Sequence, residues 1–323
     1  MSSKLSLNRR QTVTGLLAAP VVFSFNSATF AKAPMLGAAA PAFHRFKLGE
    51  FEITVINDGA IQLPGPHPIF GQNTSAEDVQ ALAKANNLPG DKMEIGFSPV
   101  VVNTGEKLVL FDSGNGGARR PNAGRLAKAL GSAGYSADQV DMLVLTHFHP
   151  DHIGGLMENG TPVFANAEYA AHEIEFDFWT HDDRMSGGTE RVAKLTSSIV
   201  KPLADKISMI KDGSSVASGI TAVAAHGHTP GHTGYHLESG GKRLLLGGDF
   251  CNHYVVSLQR PDWHVKFDMD KEEAVATRKM LLDMIAADKI PFAGYHMPFP
   301  AVGYVEKSGG GYRYVPASYQ LNL

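Results

Sequence analysis

From Phe46 onward the chain alternates short apolar or period-two runs with turn residues, and stretches of helical spacing fall between them. Residues 51–56 alternate and end on Asn57-Asp58-Gly59, which predicts a strand closed by a turn. Residues 99–103 and 107–111, joined through Gly105-Glu106, predict a hairpin. Residues 125–130 have helical spacing, stopped by Gly131 and Gly134. The apolar run 140–145 predicts a buried strand that leads straight into Thr146-His147. Residues 166–179 and 189–204 predict two helices, and 220–225, 233–237 and 242–246 predict three strands. Asp270 and Glu273 form a capping box for a helix reaching about Ala287. Residues 290–293 predict another buried strand ending near His296, and Gly309-Gly310-Gly311 a tight turn between the last two strands.

Strands and helices therefore interleave in both halves, which is the signature of an α/β protein. No break in composition, repeat or low-complexity tract divides residues 34–323, so they are expected to form one domain. With 43% hydrophobic and 19% charged residues the chain can bury a sizeable core. Its net charge of -3 offers no electrostatic reason to bind nucleic acid or an anionic membrane surface. The single cysteine, Cys251, rules out an intrachain disulfide. Nothing diagnostic of an oligomer is visible, although a homodimer is compatible with the pattern.

The first 33 residues read as an export signal rather than as fold. Lys4, Arg9 and Arg10 precede an apolar run over residues 13–25, which is short for a membrane span. Ala31-Lys32-Ala33 provides a cleavage site, with residues 38–40 as a second choice. The Arg9-Arg10 pair suggests the twin-arginine route, the alternative being a general secretory signal. The expected location is periplasmic or secreted, without integral contact with the membrane.

Chemistry concentrates in His147-Phe148-His149-Pro150-Asp151-His152, where three histidines and an aspartate fall within six positions after an apolar strand. Imidazole and carboxylate are ligands for zinc and similar borderline metals. One ion cannot readily use all four groups of so short a loop, whereas two ions a few ångströms apart can. Further ligands must then come from other strand ends. His228, Asp249 and His296 each follow a strand, and the two oxygens of Asp249 could bridge both ions. Such a pair would bring water to neutral ionisation and hold it as nucleophile, with Asp151 bonding it and accepting a proton. His226, His232 and His236 lie close in sequence but are expected to support or pack. Asp112 is expected to hydrogen-bond the backbone or a ligand histidine. Cys251 is expected to be a small buried residue.

His147-x-His149-x-Asp151-His152, Gly227-His228-Thr229, Gly248-Asp249 and His296, together with residues 110–114, resemble in type and order the motifs of the metallo-β-lactamase superfamily. That resemblance implies an αββα sandwich, two mixed β-sheets flanked by helices, with the site at one edge. It also implies His147, His149 and His228 on one metal, Asp151, His152 and His296 on the other, and Asp249 between them. Zinc is the expected metal, with manganese, cobalt or iron as alternatives. Within the superfamily the stretches 146–156, 225–233 and 311–316 are similar to those of methyl parathion hydrolases and related secreted lactonase/arylesterases. The Arg119-Arg120 pair departs from the aromatic that organophosphate hydrolases of that group can carry there.

The expected activity is hydrolysis of apolar or aromatic esters, lactones and phosphotriesters, organophosphates included. Trp179, Phe250 and Trp263 are the expected substrate-pocket aromatics, with Phe70 and Phe267 behind them. An acyl-homoserine lactonase is the main alternative. A glyoxalase-II-like thioesterase fits less well, because the tail reads as β rather than helical. The alternative from another class is a periplasmic metal-binding protein without catalysis.

Overall fold

The short apolar strands pair into two seven-stranded sheets, as described by a computed structural model covering residues 35, 37–317 and 319–323. Residues 40–323 form one compact unit, and the description below is of that unit. The export segment expected over residues 1–33 lies outside the described residues. No helix among the described residues is long and apolar enough to cross a membrane.

The chain starts with the antiparallel pair β1 (Phe43–Leu48) and β2 (Phe51–Ile56). A separate ribbon follows, β3 (Gly59–Pro64) against β4 (Lys92–Phe97), with helix α1 (Ala76–Ala85) between them in sequence. The anticipated hairpin is β5 (Val100–Asn103) and β6 (Leu108–Phe111), and the buried strand is β7 (Met142–Val144). A small pair, β8 (Met157–Glu158) and β9 (Thr161–Pro162), precedes β10 (Glu168–His172) and β11 (Ile207–Ile210). The first sheet runs β1-β2-β5-β6-β7-β10-β11. The second runs in chain order through β12 (Ser215–Ala217), β13 (Ile220–Ala224), β14 (Thr233–Ser239), β15 (Lys242–Gly248), β16 (Phe292–Gly294), β17 (Val302–Ser308) and β18 (Gly311–Pro316).

Parallel neighbours need crossovers, and helices supply them. Helix α2 (Leu126–Ser132) lies between β6 and β7, and the short α3 (Pro150–Ile153) between β7 and β10. Helices α4 (Glu173–Thr180) and α5 (Glu190–Ile199) lie between β10 and β11. The turn α6 (Val256–Gln259) and the long α7 (Lys271–Asp288) lie between β15 and β16. Asp270 caps α7 by accepting from the Glu273 amide at 2.9 Å, as the capping pattern required.

Period-two alternation sorts the side chains into layers. Val100 and Val102 join the core between the sheets, with Val55, Val109, Leu237, Leu245 and Phe292. Val101, Leu110 and Leu143 face the other way, onto Leu126, Leu130 and Ala193 of α2 and α5. On the far side, Leu281, Leu282 and Ile285 of α7 join the core of the second sheet. The order is helix, sheet, sheet, helix: the αββα sandwich.

Two expected helices are corrected. Residues 166–179 are not one helix, because 168–172 form β10 and the helix begins at Glu173. Tyr169 and Ala170 are slotted in parallel between β7 and β11, and that pairing outweighs the helical preference of Glu and Ala. The helix expected over 189–204 is α5 followed by a 3-10 turn at Lys201–Lys206, broken at Pro202, whose missing N–H cannot continue the ladder. The ribbon β3–β4 was not anticipated.

Candidate metal centre

The strands β6, β7, β15 and β16 all end at one edge of the sandwich, and the chemistry-bearing loops leave from there. After β7 the chain turns sharply at Thr146. Asp112, itself at a positive φ of 62°, accepts the Thr146 amide at 2.9 Å and its hydroxyl at 2.9 Å. His149 then precedes α3 with Pro150 at the first helical position, which places Asp151 and His152 on one turn. Gly155 lets this turn lie against the β6 loop, since a Cβ there would stand 2.0 Å from the Ser113 carbonyl oxygen. Gly248, with φ of 54°, does the same for the β15 loop against the His232 ring.

The result brings all seven sequence-identified side chains together. His147, His149 and His228 have ligand-type atoms within 4.8 Å of one another, as do His147, His152 and Asp249, and likewise Asp151, His152 and His296. Asp249 stands in the middle. Its Oδ1 is 3.4 Å from His152 Nε2, and its Oδ2 is 3.4 Å from His228 Nε2, 3.0 Å from His296 Nε2 and 4.0 Å from His147 Nε2. Asp151 Oδ2 lies 3.6 Å from His296 Nε2 and 3.8 Å from His152 Nε2. Ligands on a tetrahedral ion with bonds of about 2.05 Å are about 3.3 Å apart, so these spacings match shared cations. His147 Nε2, His152 Nε2 and Asp249 Oδ1 are buried with no hydrogen-bond partner, which is costly unless a cation satisfies them. Two divalent ions therefore fit this donor set.

An outer layer of hydrogen bonds aims the rings. His152 Nδ1 faces Asp112 Oδ2 at 2.8 Å, His228 Nδ1 faces Asp268 Oδ1 at 2.8 Å, and His296 Nδ1 faces the Gly96 carbonyl at 2.8 Å. Each acceptor holds the ring proton on Nδ1 and leaves the Nε2 lone pair for the centre. Asp268 is in turn held by the wholly buried Arg278 at 2.7 Å. His232 accepts the Asp249 amide at Nε2 (2.8 Å) and bonds the Ala225 carbonyl through Nδ1 (2.8 Å), so it positions the Asp249 carboxylate. Glu175, fully buried on α4, accepts four donors: the Phe148 amide (2.7 Å), Trp179 Nε1 (2.8 Å), the Thr229 hydroxyl (2.7 Å) and the Gly231 amide (3.0 Å). It thus pins both histidine loops. Asp268, Arg278 and Glu175 escaped the sequence reading, since single charged residues on a loop or helix resemble solvated surface.

Burial, and then the adjoining His152 and His149 rings, holds the His147 pKa well below the ordinary imidazole value. Burial followed by His228 does the same for His149. Both are thus kept neutral, the form that binds metal. Burial opposes charge on Asp249, yet the His296 and His152 rings hold its carboxyl well below the usual carboxylate range.

The centre opens into a cavity of about 480 Å³. One wall is the ribbon, with Ile61, Leu63, Ile95 and Phe97; Arg119, Arg191, Lys266 and Phe267 stand elsewhere around it. Arg119 lies 4.0 Å from Asp151 and 5.0 Å from the Phe97 ring centre, and Nη1 donates to Asn115 at 2.8 Å. Arg120 turns away to pair with Glu158 at 2.6 Å. Of the five expected pocket aromatics, Phe267 lines this cavity, and the other four are corrected. Phe250 is buried in the inter-sheet core, its ring 5.8 Å from that of Phe292. Trp179 is buried behind the His149 ring at 6.2 Å, its indole N–H held by Glu175. Phe70 packs edge-on to His253 beneath the ribbon, and Trp263 joins the same cluster.

Comparison with known proteins agrees with this geometry. The sequence model described as the metallo-beta-lactamase superfamily matches residues 97–288, more than half of the chain. A solved structure of AidC, a dizinc quorum-quenching lactonase in complex with a product, superposes with a TM-score of 0.81 and 29% identity, covering 86% of this chain and 98% of that one. The hydrolase AbOPH of the beta-lactamase superfamily gives a TM-score of 0.81 at 25% identity, covering 88% of this chain and 100% of that one. Among curated sequences, Beta-lactamase-like protein 2 homolog of Caenorhabditis elegans is 24% identical over 204 residues, 58% of this chain and 60% of that relative's length.

Proposed function

Because the chain belongs to the metallo-β-lactamase superfamily, we propose that it is a two-metal hydrolase whose main substrates are lactones and related carboxylic esters. The observation that carries this reading is the cluster of His147, His149, Asp151, His152, His228, Asp249 and His296 at the floor of an open cavity. When bound, two divalent cations, zinc first, supply acidified water and polarisation of the substrate carbonyl.

The chain's own groups do the rest. Asp151 borders the cavity, where its carboxylate can take a proton from the attacking water and pass it to the departing alkoxide. Its backbone carbonyl accepts the Tyr295 hydroxyl at 2.6 Å, which anchors the loop. Asn252 donates to Asp249 Oδ2 at 3.1 Å and fixes that carboxylate's plane. Arg119 is placed to hold an oxygen of the substrate or of the acid product, and its contact with Phe97 keeps it at the rim. The apolar ribbon accommodates an acyl or aryl group and excludes water from the reacting bond.

Lactones are favoured because a 29% identical structural relative is a dizinc lactonase with a product bound. Aryl ester and phosphotriester hydrolysis, and a special likeness to methyl parathion hydrolases, belong to the same proposal in a subordinate place. Rates on an acyl-homoserine lactone, an aryl ester and a phosphotriester, before and after chelation and metal return, test it. Hydrolysis of the lactone that chelation removes and metal restores supports the reading. Metal binding without hydrolysis of any of the three would make the protein a metal-binding protein instead. We also propose that residues 1–33 direct export to the periplasm or beyond. A reporter fused to residues 1–40 that stays in the cytoplasm would contradict this.

A further inference from the structure

We propose that His172, Asp212 and His226 form an additional divalent-cation site, using none of the seven residues of the main centre. The three come from three elements. His172 is the last residue of β10, Asp212 lies just past the end of β11, and His226 just past the end of β13. The cluster therefore joins the first sheet to the second at one edge.

The geometry is that of a ligand set. His172 Nε2 is 3.5 Å from Asp212 Oδ1, and His226 Nε2 is 3.2 Å from Asp212 Oδ2. One donor atom from each residue falls within 4.8 Å of the others, and the two rings stand 5.3 Å apart at 75°. The edge of a tetrahedron around a zinc-like ion is about 3.3 Å, as in the main centre. Two imidazoles and a carboxylate suit zinc and its first-row neighbours. Asp212 is half exposed, which leaves the remaining position to water.

A second observation points to a ligand. His172 Nε2 is buried without a hydrogen-bond partner, on a residue only 2% exposed. A plain hydrogen-bonded His–Asp–His group accounts for His226 Nε2, which bonds Asp212 Oδ2 at 3.2 Å, but not for His172 Nε2, because 3.5 Å is too long for a good N–H···O bond. His172 Nδ1 accepts the Ile174 amide at 3.2 Å, the cap of α4. With no cation, the ring proton therefore sits on Nε2. A cation at Nε2 shifts that proton to Nδ1 and releases the Ile174 N–H. Bound there, the ion would tether the loop that carries His228 to the first sheet.

The test uses the full chain, saturated with zinc and then freed of unbound metal. Zinc per chain is measured for the wild type, Asp212→Ala and His226→Gln, with folding checked by circular dichroism. Asp212 is half exposed, so its truncation leaves no core hole. Each variant is expected to hold about one equivalent less than the wild type. In amide spectra, the Ile174 resonance is expected to shift as the wild type takes up zinc and to stay put in Asp212→Ala. Equal zinc contents in the three proteins, or an Ile174 signal that zinc moves identically in wild type and variant, would overturn the proposal. The difference between proteins reports this site, whereas the zinc remaining in the variants reports the main centre, so the two readings fail separately.

Discussion

Replacing Glu175 by Gln isolates one charge that serves two metal-ligand loops. A glutamine of the same shape can keep its carbonyl oxygen on the Phe148 amide and on Trp179 Nε1. Its NH₂ then faces the Thr229 hydroxyl and the Gly231 amide. The hydroxyl can rotate to accept, but the Gly231 N–H cannot, and an orphaned buried donor costs about 1–3 kcal/mol. Turning the charged acceptor neutral weakens the two retained bonds by about 1 kcal/mol each. Glutamine also escapes the burial penalty that pushes the Glu175 pKa up, which offsets part of the loss. The net expectation is a loss of about 2–4 kcal/mol, or a fall in melting temperature of about 5–15 °C. Metal affinity is expected to drop about 10- to 100-fold, because both the His147–His149 and His228 loops lose their common anchor. Urea unfolding of the chelated protein measures the first quantity, and competition with a chromophoric chelator the second. A stability change below about 0.5 kcal/mol with unaltered metal affinity would refute the reasoning. A loss of stability alone would confine Glu175 to the fold.

Asp268→Asn removes the charge between His228 and the buried Arg278, so metal affinity is expected to fall about tenfold or more in the same competition assay. Phe250→Ala is expected to cost about 3–5 kcal/mol in denaturant unfolding while leaving relative rates on aryl esters and lactones unchanged. Phe267→Ala, at an exposed residue lining the cavity, is expected to change those relative rates with little effect on stability. Burial pushes the Cys251 thiol up to about 12; alkylation at pH 8 is therefore expected to be negligible in the native protein and complete after denaturation, as mass spectrometry would record.

What could be read from the sequence was local. His147, His149, Asp151 and His152 are contiguous and follow a wholly apolar strand, so both their chemistry and their place at a strand end were visible. His228, Asp249 and His296 were legible because each also follows a strand. Direction was not legible. Phe250 follows Asp249 immediately, yet neighbouring side chains diverge at a strand end, and this one enters the core. Strand β10 read as helix because Glu168, Ala170 and Ala171 favour helix locally, while its place between β7 and β11 depends on residues far away in sequence. The cavity wall went unnoticed for the same reason: Ile61 and Leu63 meet Ile95 and Met93 only across a pairing that spans some thirty residues. Supporting groups such as Glu175 and Asp268 declare themselves only through the partners that the fold brings to them.

The account stands on paired cations held by seven side chains. Crystals of the zinc-loaded protein, with anomalous scattering measured on both sides of the zinc edge, test this most directly. The expected map has two strong peaks at the cavity floor, one among His147, His149 and His228 and one among Asp151, His152 and His296, with Asp249 reaching both. A single peak there, or two peaks neither of which touches Asp249, would contradict it.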